Sequence, residues 1–272
     1  MSALRRFFRR VVPRRLWTGL RQVWGWRWFR GEYRTWAEAR AMAVGYDDQT
    51  IISKVLAATQ AVRAGRAAFE RDGVLFSTPS PDAPLLEALL WVRQRIGRPL
   101  RVLDFGGALG TSYWRHRGFL SDGGNWEWDI VEQPSFVVAG QAHLADPKLR
   151  FFETAAEAER VGPHDLVLCS GVLQYLEDPW ALLAEWQRFG WRFQLFNNLP
   201  LHRRRPDRLR VQHVPPEIYR ASYPVWFFNR EQMLERMTRG YVVVREYESE
   251  AVWPVGLGSY ASTGVLLERK FP

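Results

Sequence analysis

From residue 85 onward, short apolar runs alternate with segments whose apolar residues recur at helical spacing. The apolar runs predict strands at 100–105, 126–132, 149–152, 165–170 and 191–196. Helices are predicted between them at 85–96, 109–120, 136–145 and 179–188. Strands that alternate with helices in this way build a parallel sheet that is covered on both faces. The pattern therefore predicts an α/β fold.

The C-terminal part of the chain has a different pattern. Residues 241–247 and 264–268 are strand-like, but no helical pattern separates them. Parallel neighbours need a long crossover connection, so two such strands pair more readily as antiparallel neighbours. We therefore expect an antiparallel pair at one edge of the sheet.

The segment before residue 85 is predicted to be a helical lead-in that covers residues 31–84. Its clearest helix begins at Asp48, continues at helical spacing to Val62 and stops near Gly65. Three prolines between 79 and 84 then interrupt regular structure. The main domain is accordingly expected to cover residues 85–272.

The first 30 residues form a basic, aromatic segment. They carry nine arginines and no acidic residue, whereas the rest of the chain holds 29 basic and 29 acidic side chains. The net charge of +9 therefore comes from this segment, and a nucleic-acid groove through the fold is a weak expectation. No apolar run is long enough to span a bilayer or to form a signal-peptide core. Two interpretations remain open: the segment lies on an anionic membrane surface, or its rings pack on the domain and its arginines are a solvated face.

A glycine-rich turn is the strongest chemical signal. After the strand predicted at 100–105, the chain reads Asp-Phe-Gly-Gly-Ala-Leu-Gly at 104–110 and enters a helix. Glycines let the backbone approach a ligand closely, and a helix N-terminus offers free N–H groups, so this turn could cradle a nucleotide. Gly110 could instead serve only the close packing of helix and strand. Glu132 stands 22 residues after Gly110, where this architecture places a carboxylate on the ribose hydroxyls.

Residues 85–269 resemble class I S-adenosylmethionine-dependent methyltransferases. In that family the first strand ends in Asp/Glu-x-Gly-x-Gly-x-Gly, and here Ala108 replaces the middle glycine. The resemblance continues through Glu132, the fourth strand at 164–170 and the segment 171–179 that follows it. Gln174 of that segment stands where many small-molecule methyltransferases have histidine.

More narrowly, the chain resembles a little-characterised bacterial family of methyltransferase-like proteins associated with surface-polysaccharide biosynthesis. The motifs that carry this resemblance are Trp36, 45–46, 70–72, 102–110, 131–133, 170–175 and 218–224. It implies an acceptor among sugars or saccharide intermediates.

These resemblances imply a Rossmann-like, seven-stranded, mostly parallel sheet with helices on both faces, and S-adenosyl-L-methionine as cofactor. Asp104 would orient the turn or the methionine amino group, and Glu132 would hold the ribose. Ser170 would lie where the fourth strand opens onto the cofactor. Asp104 could instead act only as a helix cap. The implied cofactor-binding residues are Asp104, Phe105, Gly106, Gly107, Gly110, Glu132, Gln133 and Ser170.

The acceptor is expected to bind at a long loop, residues 197–224, that follows the fifth strand. Ligands of open α/β sheets bind outside the carboxyl ends of the strands, and this loop is polar, aromatic and basic. His213 is the first candidate for a general base, and Tyr219 and Tyr223 are candidates to orient the acceptor. The arginines at 203–205 suit the phosphate of a nucleotide sugar or a lipid-linked sugar, or else form a solvated turn.

The leading hypothesis is methyl transfer to a small-molecule acceptor by a cytoplasmic enzyme that contacts the inner face of the membrane through residues 1–30. The alternative is a non-catalytic member of the fold that binds a nucleoside or a partner, since Ala108, Gln174 and the lack of a clear base would permit it. An NAD-dependent oxidoreductase shares the turn, but the antiparallel pair and the absence of a Tyr-x-x-x-Lys motif argue against it. The single cysteine, Cys169, excludes an internal disulfide framework, and no metal site or nucleic-acid partner is predicted.

Overall fold

The computed structural model describes residues 28–45, 48–120, 126–203, 206–214, 221–255 and 258–270. The helices in these ranges are α1 Trp36–Ala41, α2 Asp48–Arg63, α3 Ala83–Ile96, α4 Thr111–Leu120, α5 Pro134–His143, α6 Ala155–Val161, α7 Pro179–Phe189 and α8 Arg230–Met237. The strands are β1 Phe29–Tyr33, β2 Phe69–Arg71, β3 Val74–Phe76, β4 Leu100–Phe105, β5 Trp126–Val131, β6 Leu149–Phe152, β7 Leu166–Ser170, β8 Phe193–Leu199, β9 Leu201–His202, β10 Arg208–His213, β11 Ser222–Asn229, β12 Tyr241–Val255 and β13 Gly258–Arg269.

Seven of these strands form one sheet in the order β6-β5-β4-β7-β8-β13-β12. Neighbours from β6 to β8 are parallel, whereas β13 runs antiparallel to both β8 and β12. The predicted α/β class, the mostly parallel sheet and the antiparallel C-terminal pair are therefore confirmed. The strand order reverses between β4 and β7, and ligands of open α/β sheets bind at the carboxyl ends of the strands at such a point. This part of the fold positions the candidate site.

Apolar cores lie on both faces of the sheet because successive strand residues point to opposite faces. On β4, Val102 belongs to the core covered by α3, α4 and α5, and Leu103 to the core covered by α6, α7 and α8. Trp128 and Trp186 are the largest fully buried side chains, one in each core. Helices thus cover both faces, as the alternation of strands and helices predicted.

Local sequence explains where several helices begin and end. Proline stands in the first turn of α3, α5 and α7, where its missing N–H costs no helical hydrogen bond. Asp82 and Asp178 cap α3 and α7 by accepting backbone N–H groups. Gly97 and Gly190 follow these two helices in the left-handed conformation. The predicted bounds of these helices accordingly lie close to the observed ones.

A second sheet lies where the sequence analysis expected a long loop. β10 and β11 pair in antiparallel fashion, β1 joins β10, and β9 joins β11. The expectation of a loop was wrong, because residues 208–213 alternate between buried and partly exposed positions. There, Leu209 and Val211 are buried, and they alternate with Arg208 and Arg210. That alternation is the pattern of a half-buried strand.

The lead-in contains the predicted helix, now α2, together with structure that the sequence analysis did not predict. β2 and β3 form a hairpin, and β1 crosses the predicted boundary at residue 30. Glu70 of the hairpin is buried and accepts hydrogen bonds from the N–H of Gly73 and from the hydroxyl of Thr111. Because Thr111 is the first residue of α4, the hairpin is attached to the helix that follows the glycine-rich turn.

The predicted membrane-binding segment falls almost entirely on residues 1–27, which lie outside the described residues. Its last part is in the fold, since Phe29 of β1 is buried against Phe227 and Trp253. Within the ranges given above, no helix combines the length and apolar character needed to cross a bilayer.

A buried charged cluster lies at the amino end of β7, at the opposite edge of the sheet from the glycine-rich turn. The ring of His164 lies between two carboxylates, with Nε2 2.8 Å from Oδ2 of Asp129 and Nδ1 2.6 Å from Oε1 of Glu159. Arg150 donates two more hydrogen bonds to Asp129. Burial lowers the pKa of His164, but the hydrogen bonds and charges of the carboxylates outweigh it and raise the pKa. Burial raises the pKa of each carboxylate, and here too the contacts outweigh it, so both values are lowered.

Replacing His164 by leucine should lower the free energy of unfolding by about 3–5 kcal/mol near pH 6, because buried carboxylates lose a cationic partner. The raised histidine pKa stabilises the fold fully below about pH 6.5, and this contribution is lost as the pH rises through the folded-state value. The lowered carboxylate pKa values stabilise the fold above about pH 4 and lose their effect as the pH falls. Urea unfolding over this pH range should therefore show the largest difference between wild type and variant in mildly acidic solution.

The exposed His143 provides the matched control. His143→Leu should change the free energy of unfolding by no more than about 0.5 kcal/mol at any pH. Equal effects of the two substitutions, or a His164 effect that grows in alkaline solution, would contradict the ion-pair account.

Candidate functional site

The glycine-rich turn after β4 lies against the turn after β7. Gly106 has a φ of +70° and donates its N–H to the carbonyl of Val131, at the end of β5, at 2.8 Å. A Cβ at Gly106 would overlap the methyl groups of Val172, which follows β7. Both the backbone conformation and the close approach of the two turns therefore require glycine at this position.

Ala108 occupies the position at which the methyltransferase motif has its middle glycine. Its φ is +50°, in the left-handed region that costs an L-residue roughly 1–2 kcal/mol. Its N–H donates to Oε1 of Glu132 at 3.1 Å, and this bond helps to hold the backbone in that conformation. The residue at 108 therefore adopts the left-handed conformation even though alanine replaces the glycine of the motif.

Glu132 follows β5 and faces the turn. Its Oε1 accepts the N–H of Ala108, and its Oε2 accepts the N–H of Gln133 at 2.8 Å. Each carboxylate oxygen carries two lone pairs, so both can accept a further hydrogen bond. Burial raises the pKa of Glu132, and the two backbone hydrogen bonds oppose that shift. Gln133 is exposed and stands at the N-terminus of α5.

Asp104 lies beneath the turn. Its side chain is buried, and its Oδ2 accepts a hydrogen bond from Nε1–H of Trp128 at 3.0 Å. A Cβ on Gly107 would lie 2.7 Å from the carboxylate, so the turn packs directly on this group. Burial, opposed by the Trp128 hydrogen bond and reinforced by the charge of Glu132, raises the pKa of Asp104 to about 7. The Asp104 carboxylate thus contacts the turn, and its role in orienting the turn or the cofactor stays a prediction.

Phe105 and Gly110 pack the two ends of the turn against the cores. The ring of Phe105 meets Trp186 edge-on, with ring centroids 5.3 Å apart. Gly110 has a φ of +92°, and a Cβ there would lie 3.1 Å from Nε1 of Trp114. Since Trp186 and Trp114 belong to the cores on opposite faces of the sheet, the turn is anchored on both sides.

Ser170 ends β7 beside two asparagines of β8. Its hydroxyl accepts hydrogen bonds from Nδ2 of Asn197 and Nδ2 of Asn198, at 3.2 and 3.4 Å. Oδ1 of Asn197 in turn accepts from the hydroxyls of Tyr247 and Ser249. This polar network around Ser170 was not predicted from the sequence. The available signal was the Asn-Asn pair near the carboxyl end of an apolar strand.

Gln174 lies in the short 3-10 turn Leu173–Tyr175 and is completely buried. In the part of the chain that the structure describes, its Nε2 and Oε1 have no hydrogen-bond partner, and neither does the buried Oδ1 of Asn198. Gly171 lies between the two amides: a Cβ there would be 3.8 Å from Cβ of Asn198 and 3.9 Å from Nε2 of Gln174. Buried amide groups are nearly always paired in folded proteins, so these three atoms are exceptions that need an explanation.

The second sheet borders this region through Tyr175. The Tyr175 hydroxyl donates to Oε1 of Gln212 at 2.8 Å, and its ring meets Tyr223 edge-on with centroids 5.1 Å apart. Gln212 and Tyr223 face each other across β10 and β11, so they lie on one face of the sheet. His213 pairs with Ser222 and lies on the other face. The structure therefore brings Tyr223 next to the turn that carries Gln174 and does not bring His213 to the same side.

The other acceptor candidates are placed only in part. Burial and the charge of Arg30 lower the pKa of His213, which favours the neutral imidazole that a general base requires. Its role as a base stays a prediction. Arg203 is exposed, and Tyr219, Arg204 and Arg205 lie outside the described residues.

No family model matches the chain, and no curated protein sequence matches it. The N-terminal domain of EvdMO1 in the presence of SAH and D-fucose aligns at 16% identity and a TM-score of 0.46, covering 78% of this chain and 97% of its own. The glycopeptide N-methyltransferase MtfA complexed with sinefungin aligns at 16% identity and 0.45, covering 68% and 86%. Magnesium protoporphyrin IX methyltransferase from Synechocystis PCC 6803 with bound SAH aligns at 14% identity and 0.43, covering 69% and 83%. Similarity at this level leaves the function of this chain to be argued from its own residues.

Replacing Asp104 by asparagine should stabilise the fold more at pH 8 than at pH 5. Burial raises the pKa of the wild-type carboxyl in the folded state to about 7. Between the unfolded value and about pH 7 the unfolded chain therefore loses this proton while the folded protein keeps it, and the free energy of unfolding falls as the pH rises. Over that interval the advantage of the neutral amide, which can still accept from Trp128, should grow by about 1.4 kcal/mol per pH unit. Urea unfolding of both proteins at the two pH values measures this difference.

Asp178→Asn is the matched control, because Asp178 is an exposed helix cap and asparagine caps helices equally well. This control should leave the free energy of unfolding nearly unchanged at both pH values. A stabilisation by Asp104→Asn that is independent of pH would show that the Asp104 carboxyl is not raised in pKa.

Proposed function

We propose that this chain is an S-adenosyl-L-methionine-dependent methyltransferase that acts on a small polar acceptor, a sugar or saccharide intermediate of surface-polysaccharide biosynthesis. One observation carries the proposal. At the point where the strand order reverses, the turn at 104–110 and Glu132 meet through the Ala108 N–H, beside the turn after β7. A glycine-rich turn and a following carboxylate at this position suit the nucleoside part of a cofactor.

The residues present fit such a cofactor. Glu132 keeps acceptor capacity on both carboxylate oxygens, which suits a pair of ribose hydroxyls. Gly107 would let the backbone of the turn approach the ligand, and at Gly171 the atoms nearest to the position of a Cβ lie 3.8 and 3.9 Å away, which is ordinary van der Waals contact. When bound, the cofactor supplies a methyl group activated on a sulfonium. The chain's own contribution is to hold the two reactants in line, which is where most of the rate enhancement of such a displacement arises.

The reversed strand β13 favours a methyltransferase over an NAD-dependent oxidoreductase. In dinucleotide-binding sheets of the order 3-2-1-4-5-6 the outer strands continue the parallel pattern. Here β13 is inserted in antiparallel orientation between β8 and β12. This ending is typical of the class I methyltransferase fold that the sequence resembles.

The acceptor side of the proposal depends on the second sheet. Tyr223 and Tyr175 lie together at the end of the sheet that adjoins the turn after β7. Tyr223 would orient the acceptor, and its hydroxyl is a hydrogen-bond donor and acceptor suited to a sugar hydroxyl. His213 remains the candidate base, and proton removal by it would need the acceptor to reach the opposite face of the second sheet. A polar acceptor also agrees with the hydrogen-bonding side chains Ser170, Asn197 and Asn198 at the carboxyl edge.

Replacing Glu132 by alanine should weaken the binding of S-adenosylhomocysteine by roughly 1–3 kcal/mol, which is a rise in Kd of about 5- to 150-fold. The change removes the carboxylate that would accept the ribose hydroxyls. Calorimetric titration of wild type and variant with S-adenosylhomocysteine, S-adenosylmethionine and NAD measures it.

Glu127→Ala is the matched control, since Glu127 lies on the same strand and pairs with Arg101 and Arg150 away from the turn. Its Kd should equal that of the wild type. Binding of NAD alone would replace the proposal with the oxidoreductase, and wild-type protein that binds none of the three would favour the non-catalytic alternative. Equal Kd values for Glu132→Ala and wild type would remove Glu132 from the site.

We also propose that the enzyme works in the cytoplasm with residues 1–30 on the anionic inner face of the membrane. Their arginines would lie near lipid phosphates and their aromatic rings at the level of the headgroups. This contact would bring the site to a lipid-linked saccharide.

Changing Arg5, Arg6, Arg9 and Arg10 to glutamine should largely abolish co-sedimentation with phosphatidylserine-rich vesicles at low salt. Each basic residue near an anionic surface contributes about 1 kcal/mol. The substitution is preferable to removal of residues 1–30, because Phe29 is buried in the fold. Four substitutions of Arg236, Arg239, Arg245 and Arg269 to glutamine, at the C-terminal end of the domain, control for total charge. Full-length protein that does not sediment with these vesicles would refute the membrane contact.

A further inference from the structure

The turn after β7 carries an amide that the fold itself does not satisfy. Gln174 is completely buried, yet among the described residues neither end of its amide has a hydrogen-bond partner. Oδ1 of Asn198 is likewise buried and unpaired there, although Nδ2 of the same side chain donates to Ser170. Unpaired buried amides are costly, so a folded protein keeps them where something else completes the hydrogen bonds.

The side chains of Gln174 and Asn198 flank Gly171. A Cβ on Gly171 would lie 3.8 Å from Cβ of Asn198 and 3.9 Å from Nε2 of Gln174. Gly171, Ser170 and Asn198 are half-buried, so the residues around Gln174 are partly exposed at the carboxyl edge of the sheet. Asn198 has a φ of +59°, a conformation that asparagine tolerates better than most residues and that supports its side chain beside Gly171.

We propose that Gln174 and Asn198 bind the hydroxyl groups of a neutral acceptor and determine its specificity; this inference rests on the proposed methyltransferase function. The pair offers the N–H groups of one amide and the carbonyl oxygens of both. A hydroxyl group matches this set because it donates and accepts at once. A carboxylate or phosphate only accepts hydrogen bonds, so it would leave the two amide carbonyl oxygens unpaired. Its negative charge would also be repelled by the partial negative charge of those oxygens.

The rest of the turn holds Gln174 in place. Leu173 is completely buried in the core, and Tyr175 is bound to Gln212 and packed on Tyr223. Nε1–H of Trp226, on β11, donates to the carbonyl of Leu176 at 3.1 Å. Because both neighbours of Gln174 are fixed, its amide loses little further freedom on binding, which favours affinity.

The test compares Gln174→Leu with wild type in the full-length protein. Calorimetry with S-adenosylhomocysteine measures the cofactor site, and saturation-transfer NMR in its presence measures binding of methyl α-D-glucopyranoside. We expect wild type to bind this neutral glycoside and to bind the matched uronic acid, methyl α-D-glucopyranosiduronate, more weakly. Gln174→Leu should raise the Kd of the glycoside at least about 10-fold, and leave the Kd of S-adenosylhomocysteine within about two-fold.

Two further variants keep the result interpretable. Asn198→Gly removes the second amide but keeps a residue that accepts a positive φ, and it should weaken glycoside binding in the same way. Gln194→Leu removes another buried amide, in the amino half of β8, and should leave glycoside binding unchanged.

Each remaining outcome has a distinct meaning. A glycoside that wild type does not bind, or binds as well as Gln174→Leu does, would overturn the inference and leave the amides to ordered water. Equal or tighter binding of the uronic acid would overturn the preference for a neutral acceptor. A loss of S-adenosylhomocysteine binding in Gln174→Leu would assign the amide to the cofactor. Wild-type protein that does not bind S-adenosylhomocysteine would refute the proposed function itself.

Discussion

The close contact between Gly106 and Val172 is the constraint on which the candidate site depends. It joins the turns that follow β4 and β7, the two strands between which the order of the sheet reverses. Helices on opposite faces of the sheet leave from these turns, so a crevice opens above them and is bounded by backbone. A side chain at 106 would have to push Val172 away and would widen that crevice. The Ala108 N–H bond to Glu132 then ties the same turn to the end of β5.

The second sheet borders the crevice and binds the turn that follows β7. The turn that carries Gln174 is bound to this sheet, because the Tyr175 hydroxyl donates to Gln212 and the carbonyl of Leu176 accepts from Nε1–H of Trp226. Phe29 of β1 and Trp253 of β12 pack together in the same small core, so three separate segments support it. The inserted strands thus contribute rigidity next to the site as well as side chains such as Tyr223.

Much of the seven-stranded sheet could be predicted because its strands are buried on both sides and read as apolar runs. The glycine-rich turn and Glu132 could be predicted because strand, turn and helix follow each other within a short stretch of chain. The second sheet could not be predicted, since β1 and β10 pair although nearly the length of the whole domain separates them in sequence. Only Leu209 and Val211 indicated that one face of β10 is buried. Sequence alone also grouped His213 with Tyr223. The two-residue period of a strand separates them onto opposite faces, which is visible only once the region is known to be a strand.

The buried His164 ring at the amino end of the sheet and the buried Gln174 amide at the carboxyl end differ in their hydrogen bonding. At the amino end, the His164 ring has a carboxylate on each nitrogen, and Asp129 also has Arg150. At the carboxyl end, Gln174 is just as deeply buried but is left without a partner by the described chain. Both nitrogens of the His164 ring are therefore satisfied within the fold, whereas the Gln174 amide is not. Departures from local rules concentrate at functional or strained sites, and the unpaired amide lies beside the turn that would hold a cofactor.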